Sequence, residues 1–278
     1  MQVMQYIRRP LLCVVLFLII FAAFEAGSIS IAHAADLPVV GPKSYYIALG
    51  DSVAYGYQPD LDWRSGYSTD LYHHLQSKGT STYDNLACPA ETSTTMINGN
   101  CPYTIIHKYP YLEPQLNAAI EYLQAHPGQV SPVTLQIGAN DILPDINKST
   151  CSTNTAQFAT DLATLDANLT QTILPRLKAA LTVNGQLTGD LILVNYYDPY
   201  QNLCPNSVPY LQTVNQHLAQ DAAGYAHVAD AFTAFGGAAI PNSNTCNYTW
   251  ICSFFSDIHP RSQGYSVIAS TIENSIGY

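Results

Sequence analysis

Tyr45-Tyr46-Ile47-Ala48-Leu49-Gly50-Asp51-Ser52-Val53-Ala54-Tyr55-Gly56 is the stretch on which the reading of the fold turns. Its aromatic and β-branched opening predicts a buried strand. The apolar run stops at Gly50, and a serine follows two residues later, in a loop that leads into helix-compatible sequence. In an α/β sheet, the carboxyl ends of the strands are where ligands bind. A serine hydroxyl is a weak nucleophile alone, so a chemical role for Ser52 requires a base and an oxyanion site elsewhere in the chain.

Working outward, apolar strand-like runs alternate with helical periodicity. Thr82–Ala87, Val133–Ile137, Leu191–Tyr196 and Ala226–Asp230 read as four further strands. Between them, Ser65–Lys78, Tyr111–Ala125, Thr155–Thr182, Val208–Ala223 and Ser262–Ser275 carry apolar residues at helical spacing. Leu112 belongs to the apolar face of the second of these, and Pro175 kinks or splits the third. Residues 93–110 and 236–252 read as irregular segments. Strands that are apolar on both faces imply a parallel sheet covered on both sides, a three-layer α/β/α fold. No linker or repeat interrupts the pattern, so residues 35–278 read as one domain.

The amino terminus bears on compartment. Arg8 and Arg9 precede an apolar run of 14 residues, Leu11–Phe24, and Ala32-His33-Ala34 supplies an A-x-A cleavage pattern. The run is short for a bilayer span. Residues 1–34 therefore read as a secretory signal, with an uncleaved anchor as the alternative, and the mature protein as secreted, without a stable membrane span. Removing this segment takes Arg8, Arg9 and Glu25, leaving 8 basic and 19 acidic residues. With no basic patch after Arg9, nucleic acid is disfavoured as a partner. Six cysteines remain: Cys88, Cys101, Cys151, Cys204, Cys246 and Cys252. An even number in an exported chain suggests disulfides. Proximity favours Cys88–Cys101 and Cys246–Cys252, which leaves Cys151–Cys204; free buried thiols are the alternative. No Cys/His spacing suits zinc, so no metal site is expected.

Of the seven histidines after residue 34, His73, His74, His107, His126, His217 and His227 lie in contexts that need no chemistry. His259 differs. It sits in Ser256-Asp257-Ile258-His259-Pro260, just before the last helix, with a carboxylate two residues upstream. Gly50-Asp51-Ser52, Gly138-Ala139-Asn140-Asp141 and Asp257-Ile258-His259-Pro260 thus occur in order at strand or loop ends. In these three blocks the chain resembles the SGNH (GDSL) hydrolase family of esterases and lipases, over about residues 45–276. Ala54 removes a G-x-S-x-G elbow, which argues against an ordinary α/β-hydrolase.

The resemblance implies a flavodoxin-like sheet and carboxylic-ester hydrolysis without a metal or organic cofactor. It implies Ser52 as nucleophile, His259 as general base, and an oxyanion hole of the Ser52 N–H, the Asn140 side chain and a backbone N–H after the second strand. That last group falls at Ala90, where the family has glycine. Alanine keeps the N–H but costs about 1–2 kcal/mol if the site needs a positive φ. The family also places Asp three residues before His, a position held here by Ser256. Three roles are open to Asp257: completing a triad, yielding to a backbone carbonyl near Ser256, or a structural role such as capping the last helix. Asp51 and Asp141 are expected to serve as loop hydrogen-bonders, and Tyr55, Tyr57, Trp63 and Trp250 as candidate lining of a substrate pocket. The expected substrate is a small-molecule or lipid ester and the expected state a monomer. The rivals are a carbohydrate acetyl esterase and a non-catalytic carbohydrate- or surface-binding module.

Overall fold

The computed structural model describes residues 37–278; the segment read as a secretory signal, residues 1–34, lies outside them. Five strands form one parallel sheet: β1 Tyr45–Gly50, β2 Thr82–Asn85, β3 Val130–Gln136, β4 Leu191–Val194 and β5 His227–Ala229. Their spatial order is β2-β1-β3-β4-β5, with every pairing parallel. This is the flavodoxin-like order, whose switch point lies between the first and third strands.

Alternation along β1 decides which layer each side chain joins. Tyr46 and Ala48 pack on one face with Ile192 and Val194 of β4. That face is covered by α1 (Tyr67–Gln76), through Tyr67, Leu71 and Leu75, and by the carboxyl-terminal helix α6 (Ser262–Ile276), through Tyr265, Ile268 and Ile272. Ile47 and Leu49 join Val133, Leu135 and Leu193 on the opposite face. There they meet α2 (Gln115–Ala125), α3 (Thr155–Asn168), α4 (Leu174–Ala180) and α5 (Val208–Ala222). The residues after β1 and those after β3 thus leave toward opposite faces and open a crevice between the two strand ends.

Several segments depart from the sequence reading. The second helix starts at Gln115 rather than Tyr111, because Pro114 sits at its N-cap in extended backbone; Leu112 is consequently fully exposed instead of packing in the core. The long third helix is interrupted by a π-helical turn, Leu169–Ile173, and continues into α4 with Pro175 just past that turn, where it cannot donate to the helical ladder. Two segments read as irregular contain short helices, Ser93–Asn98 and Ser243–Tyr248. The first is started by a reciprocal Thr92–Thr95 capping box, which sequence periodicity does not reveal. Two small antiparallel hairpins, at 146–153 and 182–187, stand outside the parallel sheet.

Gly50 is where β1 must stop. It holds φ +125°, and a Cβ there would lie 1.9 Å from the Gln136 carbonyl oxygen on β3. Only glycine lets the two strand ends approach this closely. Gly50→Ala is therefore expected to lower stability by about 2–4 kcal/mol. The measurement is the denaturant midpoint at unchanged slope; a midpoint within error of the parent would refute the close-approach argument.

Candidate active site

Ser52 opens a short helical turn, Ser52–Tyr55, immediately after β1. Asp51 caps this turn: one carboxylate oxygen accepts from the Val53 N–H at 2.9 Å and the other from the Tyr196 hydroxyl at 2.6 Å. Burial pushes the Asp51 carboxyl up to about 6, against the lowering effect of those two hydrogen bonds. Both of its oxygens are thus engaged in hydrogen bonds that fix the Ser52 turn.

The histidine reaches this point from the far end of the chain. His259 Nε2 lies 2.8 Å from Ser52 Oγ, across a separation of 207 residues. Its Nδ1 lies 2.7 Å from Asp257 Oδ1, and the same carboxylate oxygen accepts the His259 backbone N–H at 2.8 Å. Asp257 therefore faces the imidazole and does not cap α6, whose N-cap, Arg261, has no side-chain cap bond. The two-residue spacing works because Ser256 turns the chain with φ +47°. Burial raises the Asp257 carboxyl, but the His259 side chain and backbone outweigh it and hold the group below the usual carboxylate range.

The loop carrying this pair is fastened on several sides. The Tyr197 hydroxyl donates to the Ile258 carbonyl at 2.8 Å, and the Trp250 N–H donates to the His259 carbonyl at 3.0 Å. The Tyr57 ring packs against the imidazole at 4.6 Å, and the Tyr265 hydroxyl of α6 donates to the Tyr57 carbonyl at 2.7 Å. The Cys246–Cys252 disulfide closes the preceding segment. The other disulfides join Cys88 to Cys101 and Cys151 to Cys204.

Ser52, Ala90, Asn140 and His259 all line one cavity of about 460 Å³. Its lining is largely apolar, with Val53, Ile142, Leu143, Leu211, Val214 and Ile258 among its residues. Tyr57 and Trp63 line it as anticipated. Tyr55 and Trp250 do not: the Tyr55 hydroxyl donates to the Ile106 carbonyl, and the Trp250 indole to Gln58 Oε1. Tyr103, from the segment read as irregular, contributes instead. The Asn140 amide donates one N–H to the Glu91 carbonyl at 2.8 Å, which fixes its orientation and leaves the second N–H for another acceptor. Asp141 accepts from the Ser93 N–H and hydroxyl, the latter at 2.6 Å, and so ties the loop after β3 to the loop after β2.

Two residues of this framework carried no signal in the sequence. The buried Gln115 amide accepts the Gly50 N–H at 2.6 Å and donates to the Gly50 carbonyl at 3.0 Å and to Glu91 Oε2 at 2.9 Å. It thereby links the end of β1 to the loop after β2. Burial pushes the Glu91 carboxyl up to about 7, partly offset by hydrogen bonds from Thr95 and Gln115 and reinforced by Asp51 and Asp141. Among the described residues, the one grouping of potential metal-ligating atoms is Cys88, Cys101 and His107, and its sulfurs are joined in a disulfide, so neither is a thiolate.

Fold and site together define a class of hydrolase in which a serine at the end of the first strand of a three-layer sheet faces a histidine from the last loop. A profile of the GDSL-like lipase/acylhydrolase family matches residues 48–267, and the chain belongs to that family, as a serine esterase or lipase. No curated protein matches it in sequence. Among solved structures, the lipase Lip_vut3 from a goat rumen metagenome is similar at 16% identity and TM-score 0.61, over 83% of this chain and 96% of that one. The acetylxylan esterase Axe2 from Geobacillus stearothermophilus aligns at 16% identity and TM-score 0.53, over 87% and 97%. A phospholipase A1 from Streptomyces albidoflavus aligns at 17% identity and TM-score 0.50, over 84% and 99%. At these identities the likeness is one of fold.

The raised Glu91 carboxyl carries a pH consequence. Between its unfolded value of 4.5 and its folded value of about 7, the native state binds more protons than the unfolded one. Its stabilising contribution is complete below the lower value and is lost as pH rises through the upper. From pH 5 to pH 8 the parent should lose about 2 kcal/mol of stability relative to Glu91→Gln. Parallel denaturation curves for the two proteins at both pH values measure this; a difference that does not change with pH would show that Glu91 titrates normally.

Proposed function

We propose that this chain is a secreted carboxylic-ester hydrolase that works through an acyl-enzyme on Ser52 and prefers esters with an apolar acyl chain. The observation that carries the reading is the continuous hydrogen-bond chain from Ser52 through His259 to Asp257 along the lining of a largely apolar cavity. Ser52 Oγ attacks the ester carbonyl carbon as its proton passes to His259 Nε2. The carbonyl oxygen becomes an oxyanion held by the Ser52 and Ala90 N–H groups and the free Asn140 N–H. Collapse breaks the bond to the alcohol oxygen, which leaves with the proton from His259. Water then attacks the acyl-serine, giving its proton to His259, and the acid departs as Ser52 recovers its proton. Asp257 keeps the imidazole in the tautomer with its proton on Nδ1 and stabilises the imidazolium.

Secretion is supported by the A-x-A pattern in the sequence and by three disulfides among the described residues. No helix among those residues is long and apolar enough to cross a membrane. Residues 35–278 are taken as one domain acting as a monomer, with no nucleic-acid partner. The acetylated-carbohydrate reading draws on Tyr57, Trp63 and Tyr103 at the cavity, since aromatic faces suit sugars as well as acyl chains.

Substrate class is tested with p-nitrophenyl esters of increasing chain length set against acetylated xylan. The apolar wall predicts that kcat/KM rises from acetate to a medium-chain ester; acetate and xylan preferred over longer esters would favour the carbohydrate reading. A fluorophosphonate probe should label folded protein at Ser52, and no labelling with ligand binding intact would sink the enzyme reading in favour of a binding module.

Asp257→Asn should be the mildest lesion of the three polar residues. One oxygen of Asp257 accepts both His259 bonds, so an asparagine oxygen can replace it and retain the tautomer while losing the charge. The expected fall in kcat is about 10–100-fold. Ser52→Ala and His259→Ala should lose about 10⁴-fold or more. Equal losses in all three folded variants would mean that the charge itself is indispensable.

A further inference from the structure

The turn that offers the second oxyanion donor is built from an unsuitable residue. Cys88-Pro89-Ala90-Glu91 is closed by the Glu91 N–H to the Cys88 carbonyl at 3.2 Å, and Ala90 has φ +63°. Proline second and a positive φ third is the pattern of a type II turn, whose third position favours glycine. With alanine there, a type I turn is the preferred alternative. The two differ by a flip of the Pro89–Ala90 peptide, which leaves the flanking residues in place and reverses the direction of the Ala90 N–H. The left-handed conformation disfavours alanine by roughly 5- to 30-fold in population.

The flanks of the turn are pinned, but most of the pins do not resist such a flip. The Cys88 N–H donates to the Gly50 carbonyl at 3.0 Å on one side. On the other, Gln115 holds the Glu91 carboxyl, Asn140 holds the Glu91 carbonyl, and the Thr92 capping box begins the next helix. The group that touches the flipping peptide itself is Cys101, whose Sγ packs 3.4 Å from the Pro89 carbonyl oxygen. In a trans peptide the N–H points opposite the carbonyl. The Pro89 oxygen is thus turned to the disulfide, and the Ala90 N–H is turned away from it, with no protein acceptor among the described residues. Pro89 and Ala90 both border the cavity that holds Ser52.

We propose that the Cys88–Cys101 disulfide is a positioning element of the oxyanion hole, holding the Pro89–Ala90 peptide in the orientation that presents the Ala90 N–H to the reacting carbonyl. It supplies from outside the turn what glycine at position 90 would supply from within. The proposal rests on the ester-hydrolase reading above, and it makes the disulfide and residue 90 interdependent in a way that a general stabilising bridge is not.

The test compares the effect of removing the disulfide in two backgrounds. Cys88→Ala with Cys101→Ala should lower kcat by roughly 5- to 30-fold with little change in KM, the loss expected of a donor turned away. The same pair of substitutions in an Ala90→Gly protein should cost less than about threefold, because glycine holds the turn unaided. Equal fold-losses in the two backgrounds, or no loss in the first, would overturn the proposal while leaving ester hydrolysis standing. If the cysteine variants do not fold, graded reduction of the parent and Ala90→Gly proteins is followed side by side by thiol count and kcat. The other two disulfides are common to both, so a steeper loss in the parent supports the proposal and coincident curves overturn it. A chain that hydrolyses no ester and takes up no fluorophosphonate in any background would overturn this proposal together with the reading beneath it.

Discussion

The approach of β1 to β3 at Gly50 is the constraint from which the site follows. Because no side chain stands between Gly50 and the Gln136 backbone, the two strands stay paired up to the switch point and diverge only there. Ser52 then leaves from one strand end, and Asn140 from the loop beyond the other. Gln115 converts this local contact into a three-way joint, since one buried amide satisfies both backbone groups of Gly50 and reaches Glu91. A buried amide with its partners in place is stabilising, whereas one stripped of them is costly. The end of β1, the loop after β2 and the start of α2 therefore hold or fail together.

The carboxyl groups around the cavity divide according to what each faces. Asp51, Glu91 and Asp141 are all raised, chiefly by burial, and each meets neutral hydroxyl or amide donors. Asp257 is also partly buried, yet it is lowered, because its partner is an imidazole able to carry a positive charge. Environments that push like groups in opposite directions are how one chemical type serves two purposes within a small volume. Here the raised carboxyls brace the loops, and the lowered one faces the His259 imidazole.

Much of this was legible in the sequence, and the parts that were not have identifiable causes. The sheet and the three blocks around Ser52, Asn140 and His259 were readable because each strand is a compact apolar run that ends in small or polar residues. The helix Ser93–Asn98 was hidden because its stability lies in a capping box and in Asp141, not in an apolar stripe. Leu112 falls outside the helix because the apolar periodicity continues through Pro114 while the helical backbone does not. Gln115 offered nothing to read, since its partners come from Gly50 and Glu91, 65 and 24 residues away. The reach of Asp257 was undecidable because it depends on one left-handed residue, Ser256, that composition does not announce.

The separation of Ser52 from His259 has a consequence for when the proposed nucleophile meets its base. The serine is among the first residues of the sheet to be synthesised, but its histidine partner lies 207 residues later, just before α6. On the proposed reading, a nascent chain carries a hydroxyl no more reactive than any other serine until His259 has been made and its loop has folded back onto the sheet. The bond between the two residues also waits on the loop that the Cys246–Cys252 disulfide closes. On that reading, reactivity is tied to completion of the sheet and to closure of a disulfide-bounded loop, a form of safekeeping in which neither end of the pair is hazardous alone.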